Sequence, residues 1–566
     1  MEPMRYDVDV DSHRPAADHM PALVNQFSED QACVARRYSM PYSALRREQL
    51  DDLMMSWRAT LDALPFDTFS PADRADWLAL GNLIDAERRR QGREPAQLAE
   101  AEPLIGWALP LLALDGANPS VVNIDPDSAA ETLHRAAEAA RRAQSEAEDA
   151  LDGSRPADLP RPTVAYRAAA TLAAIADSLE CWYAFRAGYD PAFTWWVEEP
   201  YAVLKRCLGE YADFLRKRLA GAEEADAIVG DPIGSEALRE ELAHAYIPYS
   251  PEELVEIAQR EYAWCIDEMR RASREMGYGD DWRRAVEEVK GRHVPPGEQP
   301  NLVRALAREA IAWVEEHDLV TVPALARDCW RMAMMTPEQQ RVTPFFLGGE
   351  TILVSYPTSN MEHEQKRMSL RGNNRHFARA TVQHELIPGH HLQMFAQARH
   401  RPYRRVFSTP FWTEGWTLHW EMLLWELGFG ETPEDRVGML FWRMHRCARV
   451  WFSLAFHLGR MTPGECVAML EEDVGHERAN AVAEVRRSFA GDYDPLYQCA
   501  YLVGGLQVHA LYRELVGPGK WTPRRFHDAF LRTNCMPVAL VRALLTDRPL
   551  ERDFRGDWRF CEELTG

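Results

Sequence analysis

The stretch His384-Glu385-Leu386-Ile387-Pro388-Gly389-His390-His391 sets a proline and a glycine inside a segment, Ala380 to Arg399, whose apolar residues otherwise repeat at helical spacing. Proline lacks an amide hydrogen and clashes with the carbonyl one turn back, and glycine enters conformations that a side chain forbids. A bulge or kink is therefore expected at Pro388-Gly389, and it decides what the flanking histidines can do together.

On a regular helix the sixth position after His384 points roughly 120° away, and the seventh faces the same way but lies roughly 10.5 Å along the axis. Nitrogens about 2.0–2.1 Å from one zinc cannot be that far apart. Absorbing two residues at the break returns His390 to the face of His384. His391 is the other candidate; if it is not a ligand, it packs or hydrogen-bonds beside the site.

A zinc hydrolase needs three protein ligands, an open position and a carboxylate that takes a proton from water. The short motif for this has two histidines one turn apart, with glutamate next to the first. Glu385 holds that place, although the strict spacing is absent. A third ligand is expected from the helix containing Trp412-Thr413-Glu414-Gly415-Trp416, where Glu414 lies 24 residues after His390. Glu421, on the same face, is either the ligand instead or an acid that orients a ligand histidine.

Most of the chain is rich in Ala, Leu, Glu and Arg at helical spacing, as in Ala129 to Leu151, which predicts a mainly α protein. Ser250-Pro251-Glu252-Glu253, Thr462-Pro463-Gly464-Glu465 and Thr522-Pro523 read as capped helix starts. The best strand candidate is Phe345 to Tyr356, with its core at Thr351-Ile352-Leu353-Val354-Ser355-Tyr356. No turn, including Gly230-Asp231-Pro232, is long enough for a convincing linker. The expectation is one body over 1–566, with a mostly helical half at 1–340 and a metal-site half at 341–566.

Net charge is −22 without a basic cluster, which argues against nucleic acid as a partner. No apolar leader is visible in Met1 to Val10, and no apolar run is long enough to cross a bilayer. The ten cysteines never form Cys-x-x-Cys, so neither a thiolate zinc knuckle nor a redox pair is expected. These features predict a cytoplasmic protein with free thiols and no membrane partner.

His384-Glu385-x-x-Pro388-Gly389-His390-His391-x-Gln393, followed by Glu414-Gly415-Trp416 and Glu421, resembles the bacterial domain-of-unknown-function family 885, whose members look like distant relatives of glutamate-zincin peptidases. The resemblance continues through Arg446 to Arg449, His457, Pro495 to Gly504 and Phe526-His527-Asp528. It implies a large helical, clefted body, as in thimet oligopeptidase or carboxypeptidase Taq, with a small sheet beside the metal helix. It also implies one zinc per chain on His384, His390 and Glu414, with Glu385 as general base. The chain departs from the family pattern at His419, where a tyrosine is usual, and at Ser453, where an aspartate is usual.

The resemblance places a tyrosine at Tyr501, which is expected to donate to the developing oxyanion; Tyr497 and His457 are the next candidates. Tryptophans 412, 416, 420, 425 and 442 form either a pocket wall or helix core. The strand at Ile352 to Tyr356 could align an extended peptide. The expected activity is zinc-dependent hydrolysis of a peptide or small amide. The rivals are a metal enzyme acting on a non-peptide amide or ester, or performing elimination or ring chemistry in specialised metabolism; an inactive metal-containing scaffold; and a helical interaction module.

Overall fold

The computed structural model describes residues 19–117, 124–154, 159–223, 227–340, 343, 345–490 and 493–562. The stretch read for a leader lies outside them. Among the described residues there are twenty-two α-helices and one two-stranded sheet, so the protein is mainly α as expected. Among them no helix is long and apolar enough to cross a membrane.

The residues gather into two compact units. One takes residues 22–65 and 81–231, the other residues 19–21, 66–80 and 232–562. The last change from one to the other falls at Asp231-Pro232, within one of the turns that the sequence marks.

The first unit is built around α1 (Pro126–Leu151), α2 (Pro162–Ala184) and α3 (Pro191–Phe214), each with a proline in its first turn. Ala129, Leu133, Ala136 and Ala140 of α1 and Ala165, Ala168, Leu172 and Ile175 of α2 are buried in one core, and α3 packs on both helices. These residues recur three or four apart, so each helix presents a single apolar stripe to the others.

The second unit holds the site. Ser250 caps α4 (Pro251–Glu275) in a full capping box, as its sequence predicts. Thr462 and Thr522 cap their helices too. Its further elements include α5 (Gln299–Glu316), β1 (Arg331–Met334), β2 (Thr351–Val354), α6 (Arg375–Glu385), α7 (His390–Gln397), α8 (Pro410–Glu426), α9 (Pro433–His457), α10 (Arg478–Ala490), α11 (Tyr497–Val516) and α12 (Pro523–Thr533). The helix α9 packs on α4 and α6, and α8 packs along α11.

The strands β1 and β2 pair in parallel, Arg331 opposite Thr351 through Met334 opposite Val354. The alternation of β2 turns Ile352 and Val354 inward, onto Ala378, Val382 and Leu386 and onto Leu302 and Leu306 of α5. Fully burying each such aliphatic side chain stabilises the packing by about 1.5–3 kcal/mol, enough to hold a four-residue strand on the metal helix.

Candidate metal centre

The helix α6 begins at Asn374, whose side chain accepts from the amides of His376 and Phe377 at 3.0 and 3.1 Å. Its last two residues are His384 and Glu385. The chain then leaves the helix altogether: Leu386 takes φ −110° and ψ −105°, the Ile387-Pro388 bond is cis, and α7 restarts at His390. A bulge was expected and a full interruption is found. A Cβ on Gly389 would lie 1.8 Å from the carbonyl oxygen of His384, so only glycine fits. The break is tied down by Gly389 donating to Gln383 O at 3.0 Å and by the Trp416 indole donating to Pro388 O at 2.9 Å.

This geometry brings the rings of His384 and His390 to 5.0 Å between centroids, nearly perpendicular at 86°. Glu414, in the second turn of α8, completes the group. Its Oε2 lies 3.6 Å from His384 Nε2 and 3.3 Å from His390 Nε2. One ligand atom from each of the three residues falls within 4.8 Å of the others, and all three residues are buried. Ligand atoms about 2.0–2.1 Å from a tetrahedral zinc stand roughly 3.3 Å apart, so the spacing suits that ion. Glu414 Oε2 has no hydrogen-bond partner although it is buried, which is what a missing metal bond would leave.

Neighbours hold each ligand from behind. His384 Nδ1 donates to Glu421 Oε1 at 2.7 Å, and Arg446 donates to the same oxygen at 3.1 Å. Gln393 donates to the carbonyls of Trp412 and Thr413, leaving its Oε1 to accept from His390 Nδ1 at 3.3 Å. Both imidazoles therefore turn Nε2 towards Glu414. Tyr497 donates to the second oxygen of Glu414 at 2.5 Å. Glu421 thus orients a histidine. His391 faces backbone, with its nitrogens 3.1 Å from Gly349 O and 2.9 Å from Ala326 O.

Charge follows the same plan. Burial would lower the pKa of His384, but Glu414 and Glu421 outweigh it and raise it to about 9. Burial would lift the carboxyl of Glu414, yet His390 and His384 hold it well below the usual carboxylate range. A cation suits the space between them.

The tyrosines arrive because α8 and α11 cross at a glycine pair. A Cβ on Gly415 would come 2.7 Å from the carbonyl carbon of Gly504, and one on Gly504 would come 2.5 Å from Phe411 O. At that approach Tyr501 stacks beside His384, with ring centroids 6.2 Å apart. Its hydroxyl accepts from Arg487 at 3.4 Å, which leaves its own proton to donate. Burial and Glu414 raise the pKa of both Tyr497 and Tyr501, so both stay protonated. His384, Glu385, His390, Glu414 and the two tyrosines line a cavity of about 140 Å³, and Glu385 Oε1 is 4.0 Å from His384 Nε2.

Residues 31–545 match the family described as bacterial protein of unknown function, DUF885. The chain belongs to this family. Two solved structures share the fold of this DUF885 protein, both described as a "putative lipoprotein". The one from Shewanella oneidensis has a TM-score of 0.67 at 16% identity, covering 94% of this chain and 100% of its own. The one from Colwellia psychrerythraea has a TM-score of 0.60 at 16% identity, covering 94% and 99%. No curated protein matches the sequence.

One sequence expectation for this DUF885 chain is corrected. His457 is absent from the cavity lining: it is buried against Phe456 and Phe489, and burial pushes its pKa down to about 4. Trp412, Trp416 and Trp420 are fully buried helix core, and of the five tryptophans only Trp442 lines the cavity. The strand β2 has no free edge at Leu353, because Leu347 bridges it on the side away from β1 with bonds of 3.1 and 2.8 Å. His419 faces His509 and His527 and is not part of the cavity lining. Sequence reasoning assigned no role to Gln393, Arg446 or Arg487. The family motif contained the first two, and nothing singled out Arg487.

Proposed function

We propose that this DUF885 protein is a zinc-dependent hydrolase of short peptides or similarly small amides, with one zinc per chain on His384, His390 and Glu414. The observation that carries the reading is the convergence of two imidazole Nε2 atoms and an unpartnered carboxylate oxygen beside Glu385. A zinc ion held there would polarise the substrate carbonyl and bring the pKa of a water towards neutrality.

Glu385 ends its helix inside the cavity and is the group that takes the proton from the attacking water and passes it to the leaving amine. Tyr501 donates to the oxygen on which negative charge develops, since its own acceptor side is occupied by Arg487. Tyr497 keeps Glu414 turned towards the two histidines. The lining of the cavity is equally compatible with a non-peptide amide. A cytoplasmic location belongs to the same proposal, with all ten cysteines unpaired.

The test is elemental analysis together with hydrolysis of mixed di- and tripeptides. One zinc per chain, activity abolished by a chelator, and a loss of about 10²–10⁴-fold in Glu385→Gln with zinc retained are expected. Full activity in that variant would remove Glu385 from the mechanism. Zinc bound without any hydrolysis would leave a scaffold.

A further inference from the structure

Three guanidiniums face the cavity, and two of them have acids. Arg446 pairs with Glu421 at 3.1 Å and Arg449 with Glu484 at 2.7 Å. Arg487, on α10, is only 6% exposed. Its Nη2 donates to the Tyr501 hydroxyl, its guanidinium lies 4.8 Å over the ring of Tyr493, and its Nε has no partner. Among the described residues it makes no ion pair; Glu484, one turn earlier on α10, is held by Arg449.

A buried guanidinium without a counter-ion is costly, because it has lost its hydration and gained no opposite charge. Such a group is stabilised when a ligand brings the missing anion. The balance of charge around the cavity agrees. Among the described residues, three guanidiniums and a divalent zinc, against Glu385, Glu414, Glu421 and Glu484, leave one positive charge over. Arginine also matches a carboxylate with two parallel donors.

Resting on the hydrolase reading above, we propose that Arg487 anchors a carboxylate of the substrate, so that the site takes small amides carrying a free carboxylate close to the scissile bond. The ring of Tyr501 spans the two ends, stacked beside His384 and bonded through its hydroxyl to Arg487. Arg487 lines the same cavity, of about 140 Å³, as His384, Glu385 and Glu414, so a substrate carboxylate on Arg487 shares the cavity with the reacting bond. Hydrolysis breaks the C–N bond, adds the water's hydroxyl to the acyl carbon and its proton to the amine, and releases the residue whose carboxylate sat on Arg487.

Binding and cleavage test this separately. Calorimetry on the zinc-loaded protein compares N-acetylalanine, its carboxamide, and N-acetylaspartate α-amide. At least tenfold tighter binding of one acid than of the carboxamide is expected; N-acetylalanine would name a terminal carboxylate as the source and the aspartate derivative a side chain. The preference should vanish in Arg487→Met at unchanged zinc content and persist in part in Arg487→Lys. Arg487→Met should melt no lower than wild type, whereas a structural arginine would lower the melting temperature. Equal affinity for acids and carboxamide, no binding of any of them, or a preference kept in Arg487→Met overturns the proposal. Wild-type cleavage of Ala-Ala and Ala-Ala-amide at equal rates also overturns it but leaves the hydrolase reading standing. An acid preference without any cleavage overturns the hydrolase reading and leaves the carboxylate anchor.

Discussion

Two clusters of buried histidines in the same unit have opposite chemistry. At the metal centre, His384 and His390 each bond through Nδ1 to a neighbour and turn Nε2 towards Glu414. Across α8, His419 uses both nitrogens, meeting His509 Nδ1 at 3.2 Å and His527 Nε2 at 2.9 Å. His527 on α12 then donates to Leu319 O at 2.7 Å. The pKa values diverge accordingly. Burial, then His527 and His509, hold His419 well below its ordinary value, and burial takes His527 to about 3, whereas His384 rises to about 9. Depth is equal; the acids make the difference. Glu414, Glu421 and Glu385 draw a cation to His384, whereas the second cluster meets an acid only at its edge, where Glu426 bonds His509 Nε2 at 3.1 Å and Arg513 at 2.7 Å, and the ring nitrogens of His419 face other imidazoles. The family departure at His419 therefore falls in the closed cluster and leaves the cavity untouched.

The comparison breaks most sharply on metal content. His384→Ala should take bound zinc from one equivalent to none by elemental analysis, and His419→Gln should keep all of it; zinc lost from the second variant would merge the two clusters. Next in size, Tyr501→Phe should lower kcat by about 10²–10³-fold with zinc unchanged, as for removing one oxyanion donor. Tyr497→Phe should weaken zinc binding by about 10–100-fold in chelator competition, because Glu414 loses the bond that orients it.

The pH dependence separates the clusters further. Without metal, His384 keeps its proton up to about pH 9, and zinc must displace it. Apparent zinc affinity should therefore rise about tenfold per unit up to that pH and then level, a one-proton slope absent if His384 is not a ligand. The smallest effect belongs to the closed cluster. His419→Gln should cost about 1–3 kcal/mol in urea unfolding, since His509 and His527 lose a buried partner.

Local signals in the sequence were legible where the physics is local. Serine or threonine before Pro and Glu announced the capped helices, and Pro388-Gly389 announced the departure from helix that the two histidines require. That the departure is a complete break was not legible, because the Trp416 indole that fastens it comes from another helix. Glu421 stayed ambiguous for a similar reason: ligand and orienting acid differ only in which atom of His384 they meet. Arg487 gave no signal at all. It is one of two adjacent arginines on an ordinary amphipathic helix, and its significance depends on acids paired elsewhere in the fold. His457 was chosen by resemblance, and the phenylalanines that enclose it are visible only in three dimensions.

Because one histidine ends a helix, the other begins the next, and the third ligand stands on a helix packed against α11, no short piece of the chain is a chelator. A peptide spanning 375–397 carries both histidines and the Gly389–Gln383 bond between them, but neither Glu414 nor the Trp416 indole that fastens the break. On the proposed reading, metal capture would wait until α8 docks on α6 and α7. A newly made chain would then pass through synthesis without competing for zinc, and take its ion only when there is a finished enclosure to receive it.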